Sequence, residues 1–186
     1  LFEAKVIAAH CVHIDEGEMR TLKHSNVGVA HNPSSNLKLS SGVAPVKRMI
    51  ELGLNVGIGT DGVASNNDHD MFEEIRLTTF LAKGTSGDPT TLPAVTTLLM
   101  ATRMGANAIH VGDITGSLTP GKRADLILIQ IGSLHNMPRF YRDPNGVYAQ
   151  LVYAAKSTDV TDVMVNGQWL MRNQQLLTLN EAELMI

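Results

Sequence analysis

Three short apolar runs in this chain each end on a side chain that can hold a proton or a metal. Lys5-Val6-Ile7-Ala8-Ala9 leads into His10, and Asn26-Val27-Gly28-Val29-Ala30 leads into His31. Leu54-Asn55-Val56-Gly57-Ile58-Gly59-Thr60 leads into Asp61, with Gly62 permitting a sharp exit. A carboxylate and an imidazole brought together could activate a water, one taking its proton and the other polarising the attacked group. Each residue alone has a plainer role, since Asp-Gly pairs are selected by turns and Asp caps helices. The repetition is what argues for a site.

The elements that must position these residues are strands followed by helical patterns. β-Branched residues alternate with glycine around Val56 and Ile58, as in a strand approached closely by other backbone. After Gly42, the residues Val43, Val46, Met49 and Ile50 make one apolar helical face, with Pro45 in the first turn and Gly53 as the stop. After the polar loop Ser65-Asn66-Asn67-Asp68, a helix carrying Met71, Ile75, Leu77 and Leu81 is expected to end at Gly84. Ile14, Met19 and Leu22 could line a shorter helix weakened by Gly17. One further helix is expected from Pro93 through Val95, Leu98, Leu99, Thr102 and Ala106 to Ile109. Alternating strands and helices imply parallel strands joined by right-handed crossovers, so His10, His31 and Asp61 should emerge at one end of the sheet.

The texture changes near residue 113. Ala124 to Ile129 reads as a strand, and His135 to Gly146 as a long loop. Val160 to Val165 and Gln168 to Met171 read as two strands across a type I′ turn at Asn166-Gly167. Asn180 to Ile186 reads as the start of a helix. Residues 1–112 are therefore expected to form an α/β unit and residues 113–186 a mostly β unit.

Composition narrows the function classes. Hydrophobic residues make up 44% and charged residues 18%, ordinary for a folded chain. A net charge of −3 with scattered Lys and Arg gives no footprint for nucleic acid, and no apolar run is long enough for a membrane span. The single cysteine, Cys11, fits a reducing, cytoplasmic compartment and is expected to be a small buried residue within its strand. Asn66-x-Asp68-x-Asp70 has the rhythm of a calcium loop, but Met71 stands where glycine is needed and Leu77 where the closing glutamate belongs. His13 and Glu16 mimic a metal motif, yet His13 should face away from His10 and sit on the rim. His24, His69, His110 and His135 are expected to be solvated, and His31 either lines a pocket or anchors the loop with Asn32 and Asn36.

Three strand-helix units cannot close a parallel barrel, which needs eight and about 250 residues. The chain opens on Leu1, close to its first strand, and is expected to be part of a larger protein.

Ala9-His10-Cys11-Val12-His13, His31-Asn32-Pro33-Ser34-Ser35-Asn36-Leu37-Lys38-Leu39 and Gly59-Thr60-Asp61-Gly62-Val63-Ala64-Ser65-Asn66-Asn67 resemble successive motifs of the amidohydrolase superfamily. Within it they are most similar to the branch that holds 5-methylthioadenosine/S-adenosylhomocysteine deaminases, guanine deaminases and triazine hydrolases. Gly116 to Ile129 and Val163 to Gly167 resemble that branch's small β-sandwich domain. The resemblance implies the last three strands of a (β/α)8 barrel plus part of that domain. It also implies one divalent metal, usually zinc. Asp61 matches the aspartate that is both metal ligand and proton relay, and His10 the histidine that orients the activated water. The implied reaction is hydrolytic deamination of an aminopurine-type small molecule. The implied partners include neither nucleic acid nor membrane, and association into a homo-oligomer stays open.

The family's His-x-His pair, its His-x-x-Glu motif and most substrate-gripping residues are absent and would lie before Leu1. The chain alone is thus expected to be inactive. Three alternatives remain: hydrolysis of another ring substituent, of guanine or chlorotriazine type; a non-catalytic partner or degenerate domain; and an open doubly wound nucleotide-binding sheet.

Overall fold

The computed structural model describes residues 4–139 and 142–185. Positions 1–3, two positions of the expected loop His135–Gly146 and the last position of the expected closing helix lie outside the described residues.

The first sheet has three parallel strands in the order β1 (Ile7–Ala9), β2 (Gly28–His31), β3 (Val56–Ile58). α1 (Glu16–His24) connects the first pair, and its start is fixed by a capping box between Asp15 and Glu18. α2 (Pro33–Lys38) and α3 (Val46–Glu51) connect the second pair. Period-2 alternation divides the two inner strands into unlike faces. Val29 and Val56 are paired in register and fully buried, in a cluster with Met19, Val46, Met49 and Met100. On the other face Gly28 and Gly57 admit backbone: a Cβ on Gly28 would lie 1.8 Å from the Ala108 carbonyl oxygen, and one on Gly57 2.9 Å from Gly105 Cα. These glycines let α7 (Arg103–Ala108) press onto the sheet.

After β3 come α4 (Val63–Asn66) and α5 (Met71–Ser86), the latter capped by Asp70. α5 runs past the expected stop at Gly84 and ends on Gly87, which takes the left-handed conformation a C-terminal cap requires. The single helix expected from Pro93 to Ile109 is instead two, α6 (Ala94–Ala101) and α7, broken at Thr102. The Thr102 hydroxyl bonds back to the Leu98 carbonyl, and its backbone leaves the helical region.

The second sheet is antiparallel, β4 (Leu126–Ile129), β5 (Val160–Val165), β6 (Gln168–Arg172) and β7 (Gln175–Leu176). Asn166 and Gly167 both have positive φ, as the type I′ turn demands. Residues 146–153 form α8 (Gly146–Tyr153), which packs on α5 and α6 and had no counterpart in the sequence reading. The expected loop before it contains a short 3-10 turn, Leu134–Asn136. A four-residue helix, α9 (Glu181–Leu184), follows the second sheet.

Two histidines expected to be solvated are engaged. His110 bonds the Val6 carbonyl at 3.0 Å, tying α7 to β1's approach, and His135 meets the buried Asp159 carboxylate at 2.7 Å. Burial would raise the Asp159 pKa, but hydrogen bonds from His135, the Lys156 N–H, Asn136 and Ser133 hold it down to about 2. Partners far away in sequence, Val6 and Asp159, decide both cases.

The two kinds of glycine give opposite expectations. Gly28→Ala meets backbone and should destabilise by about 3 kcal/mol or more. Gly84→Ala, in the last turn of α5 with nothing within 4 Å of the new Cβ, should stabilise by up to about 0.5–1 kcal/mol. Urea denaturation midpoints of the two variants check both signs.

Candidate active site

His10 and Asp61 come together at the C-terminal edge of the parallel sheet. His10 follows β1 directly, its N–H donating to the Ala30 carbonyl at 2.8 Å, so the ladder carries it to the strand's end. Asp61 lies three residues past β3. Both residues have positive φ, 67° and 65°, an uncommon conformation for non-glycine residues that turns each side chain out of the strand direction. His10 Nε2 lies 3.8 Å from Asp61 Oδ2. Cys11, expected inside the strand, lies beyond it with φ 48°, partly exposed, and burial raises its thiol pKa. His13 is exposed in the turn that follows.

The Asp61 carboxylate is held by two hydroxyls. Ser35 Oγ donates to Oδ2 at 2.6 Å and Ser65 Oγ donates to the same oxygen at 2.8 Å. These two bonds, with the Gly62 N–H and the charge on His10, lower the carboxyl pKa to about 2. Asp61 therefore stays ionised throughout the neutral range.

His10 is oriented by Asn36. The Asn36 Oδ1 oxygen lies 2.8 Å from His10 Nδ1 and can only accept, so the ring proton sits on Nδ1. In the neutral ring Nε2 is then a lone pair facing the Asp61 carboxylate. Two lone-pair-bearing atoms across that gap define a place for a water that donates hydrogens to them or a cation that they coordinate.

His31, at the end of β2, is 1% exposed and does not reach the opening. Burial, followed by the charge on His10, lowers its pKa to about 4. Its Nδ1 and the Asn36 Nδ2 are both buried without a hydrogen-bond partner, a cost of about 1–3 kcal/mol each. Neither reading of His31 fits the geometry: the ring is buried away from solvent, and its Nδ1 bonds neither Asn32 nor Asn36.

Ser35, Ser65 and Asn36 escaped the sequence reading as site residues. A serine four residues after Asp61 and a Ser-Ser-Asn run beginning three after His31 were visible, but the targets of Ser35 and Asn36 lie 26 positions away. The run Gly57-Ile58-Gly59-Thr60-Asp61-Gly62 also has the spacing of a dinucleotide loop. It does not act as one here: α4 is four residues long, and an ionised carboxylate stands where a pyrophosphate would approach. The monotonic order β1-β2-β3 also lacks the switch point at which such sheets bind nucleotides.

As for a metal, Asp61 offers an ionised oxygen donor of the right kind, with His10 beside it. No group of three or more His, Cys, Asp or Glu residues able to hold an ion occurs among the described residues. The donor set therefore fits one ligand of a shared site.

The class that fold and site define is an α/β protein that gathers an acid and an imidazole at the C-terminal edge of a parallel sheet. Residues 1–170 match the model of the amidohydrolase family, and the chain belongs to that family. It is 50% identical over 184 residues to a 5-methylthioadenosine/S-adenosylhomocysteine deaminase of Moorella thermoacetica, covering 99% of this chain and 42% of the relative. The chain thus spans about two fifths of the length of the curated relatives it matches. Its fold superposes on an adenosine deaminase from Xanthomonas campestris with bound zinc at a TM-score of 0.90 and 41% identity, covering 96% of this chain and 40% of that one. An atrazine chlorohydrolase from Arthrobacter aurescens complexed with zinc gives a TM-score of 0.83 and 27% identity, over 97% of this chain and 39% of the other. No described helix is long and apolar enough to cross a membrane.

His31 gives stability a pH dependence. Its pKa of about 4 in the fold lies below the ordinary 6.5, so between those values the unfolded chain binds the extra proton. Stability is whole above about 6.5 and falls as pH drops toward 4, by on the order of 3 kcal/mol from this group. Urea titrations across that range should show the loss, and His31→Gln should flatten it. A variant as pH-dependent as the parent protein would contradict the assignment.

Proposed function

We propose that this chain is the C-terminal part of a (β/α)8-barrel hydrolase that deaminates an aminopurine-type small molecule with the help of one divalent metal, zinc. The observation that carries the reading is the pairing of an ionised Asp61 with a tautomer-fixed His10 across 3.8 Å, at the strand ends where barrel enzymes keep their chemistry. Residues 1–112 would supply barrel strands six to eight, and 113–186 part of a small β-sandwich domain, consistent with the antiparallel sheet that begins at Leu126. The deaminase relatives and the zinc-bound neighbours support substrate class and metal. We place the enzyme in the cytoplasm, a reducing compartment that its single cysteine, Cys11, fits.

Asp61 would hold the metal through a carboxylate oxygen, with the remaining ligands outside these residues. When bound, such a cation lowers the pKa of a water from 15.7 to about 7. Asp61 takes the proton from the attacking water and returns it to the departing ammonia. His10, its Nδ1 hydrogen committed to Asn36, presents Nε2 to that water and fixes its line of attack. Ser35 and Ser65 keep the Asp61 oxygen in one orientation through the proton's arrival and departure. Cys11, His13 and His31 have no part in the reaction.

In the full-length enzyme Asp61→Asn should lower turnover by about 10²-fold or more, because an amide neither balances the metal's charge nor carries the proton. His10→Ala should retain zinc, measured by elemental analysis, while losing rate by a similar factor. Methylthioadenosine, S-adenosylhomocysteine, adenosine, guanine and a chlorotriazine form the substrate panel, with ammonia or chloride release as the signal. Turnover confined to the chlorotriazine would replace deamination with dehalogenation, and turnover on none would end the reading.

A further inference from the structure

Glu74 is the least exposed acid among the described residues, at 1%, and the chemistry above does not use it. It sits one turn into α5, and its two carboxyl oxygens have different partners. Oε2 accepts the backbone N–H of Ser34 at 3.1 Å, and Oε1 accepts Asn66 Nδ2 at 2.7 Å. Ser34 lies in the first turn of α2, whose own N-cap residue, Asn32, makes no side-chain cap bond. Glu74 therefore caps α2 from a neighbouring helix, satisfying an N–H that would otherwise lack a partner. Asn66 is the last residue of α4.

The neighbours of these two anchor points are the residues that hold Asp61. Ser35 follows Ser34, and Ser65 precedes Asn66. Both hydroxyls donate to the same oxygen, Asp61 Oδ2, at 2.6 and 2.8 Å. One buried carboxyl thus pins both short helices whose serines orient the acid. Neither α2, with six residues, nor α4, with four, is long enough to hold its position by its own hydrogen bonds.

We propose that Glu74 is a positioning residue for the reacting carboxylate, acting through Ser34 and Asn66 on the paired serines of Asp61. The inference rests on the reading of Asp61 given above. A carboxyl is suited to this place because both its contacts are donors. Glutamine would offer one amide NH2, which faces either the Ser34 N–H or the Asn66 NH2. Asn66 cannot simply turn its amide to compensate, because its Oδ1 already accepts the N–H groups of Asp68 and His69. Glu74→Gln therefore loses one tether in either orientation.

The test uses the full-length zinc enzyme and the metal-free protein prepared from it. Zinc affinity is read by competition with a chromophoric chelator, kcat and KM by ammonia release, and the folded fraction by thermal melting of the same samples. Glu74→Gln is expected to weaken zinc affinity or lower kcat per folded molecule by about 10-fold to 100-fold, with KM changed less than about threefold. Asn66→Ala, at a half-buried position, severs one tether only and should cost about three- to tenfold. In a Ser65→Ala background that Asn66→Ala effect should disappear, since the route it acts through is already cut. A role confined to stability predicts something else: a lower melting temperature with zinc affinity and kcat per folded molecule unchanged, in Asn66→Ala as well as Glu74→Gln. That result overturns the proposal, and Asn66→Ala decides it should Glu74→Gln fail to fold. Asp61→Asn separates the two levels of inference. If it is damaging while both other variants are silent, only the positioning role falls; if it too is silent, the reading of Asp61 falls with it.

Discussion

The arrangement depends on one oxygen. Asp61 Oδ2 collects hydrogen bonds from Ser35 and Ser65, which belong to helices that precede and follow β3 in the chain, and faces His10 from the end of β1. An aspartate in left-handed backbone conformation at an open sheet edge has little to fix its side chain locally. Two charge-assisted hydroxyl bonds supply that fixing and hold the group in its ionised form. The same bonds lock the α2 and α4 segments to the strand end, so the site's geometry and the folding of its rim are one problem.

What lets the strand ends meet is the shape of the sheet beneath them. Val29 and Val56 are locked in register into a dry cluster with Met49, and a one-residue slip would send them to the opposite face. That opposite face carries Gly28 and Gly57, where α7's backbone leaves no room for side chains. Slippage would therefore drive valines into the Ala108 carbonyl. Register is specified by both faces at once, and with it the relative heights at which β1, β2 and β3 deliver His10, His31 and Asp61.

Local signals in the sequence were enough for part of this. The apolar runs ending in polar residues foretold the parallel strands and their common edge, because β-branched alternation and a terminal Asp-Gly act within a few residues. Asn166-Gly167 likewise foretold its hairpin, since the turn's positive φ values are a property of those two residues. The helix around Ala94–Ala108 was read as continuous because its apolar spacing is continuous; the break comes from Thr102 bonding its own preceding turn. α8 was hidden in a stretch following Pro, Asn and Asp residues, and is held by packing on α5 and α6. The supporting polar residues were the least legible. Asn36, Ser35 and Glu74 find partners 26 to 40 positions away, and no spacing rule reaches that far.

The two imidazoles at the sheet edge show how neighbouring positions acquire separate duties. His10 is part-exposed, pinned at Nδ1 by Asn36, and turns Nε2 toward the acid. His31 ends the adjacent strand but is sealed from water, and its pKa falls to about 4. At neutral pH His31 is thus uncharged, and of the two rings only His10 faces the Asp61 carboxylate. Were His31 to take a proton, it would place a positive charge beside the His10–Asp61 pair. Keeping it buried and neutral avoids that charge, so the acid at Asp61 faces a single imidazole. The unpartnered nitrogens of His31 and Asn36 are the cost of this sealing, and the dense packing of the residues around β2 is what sustains it.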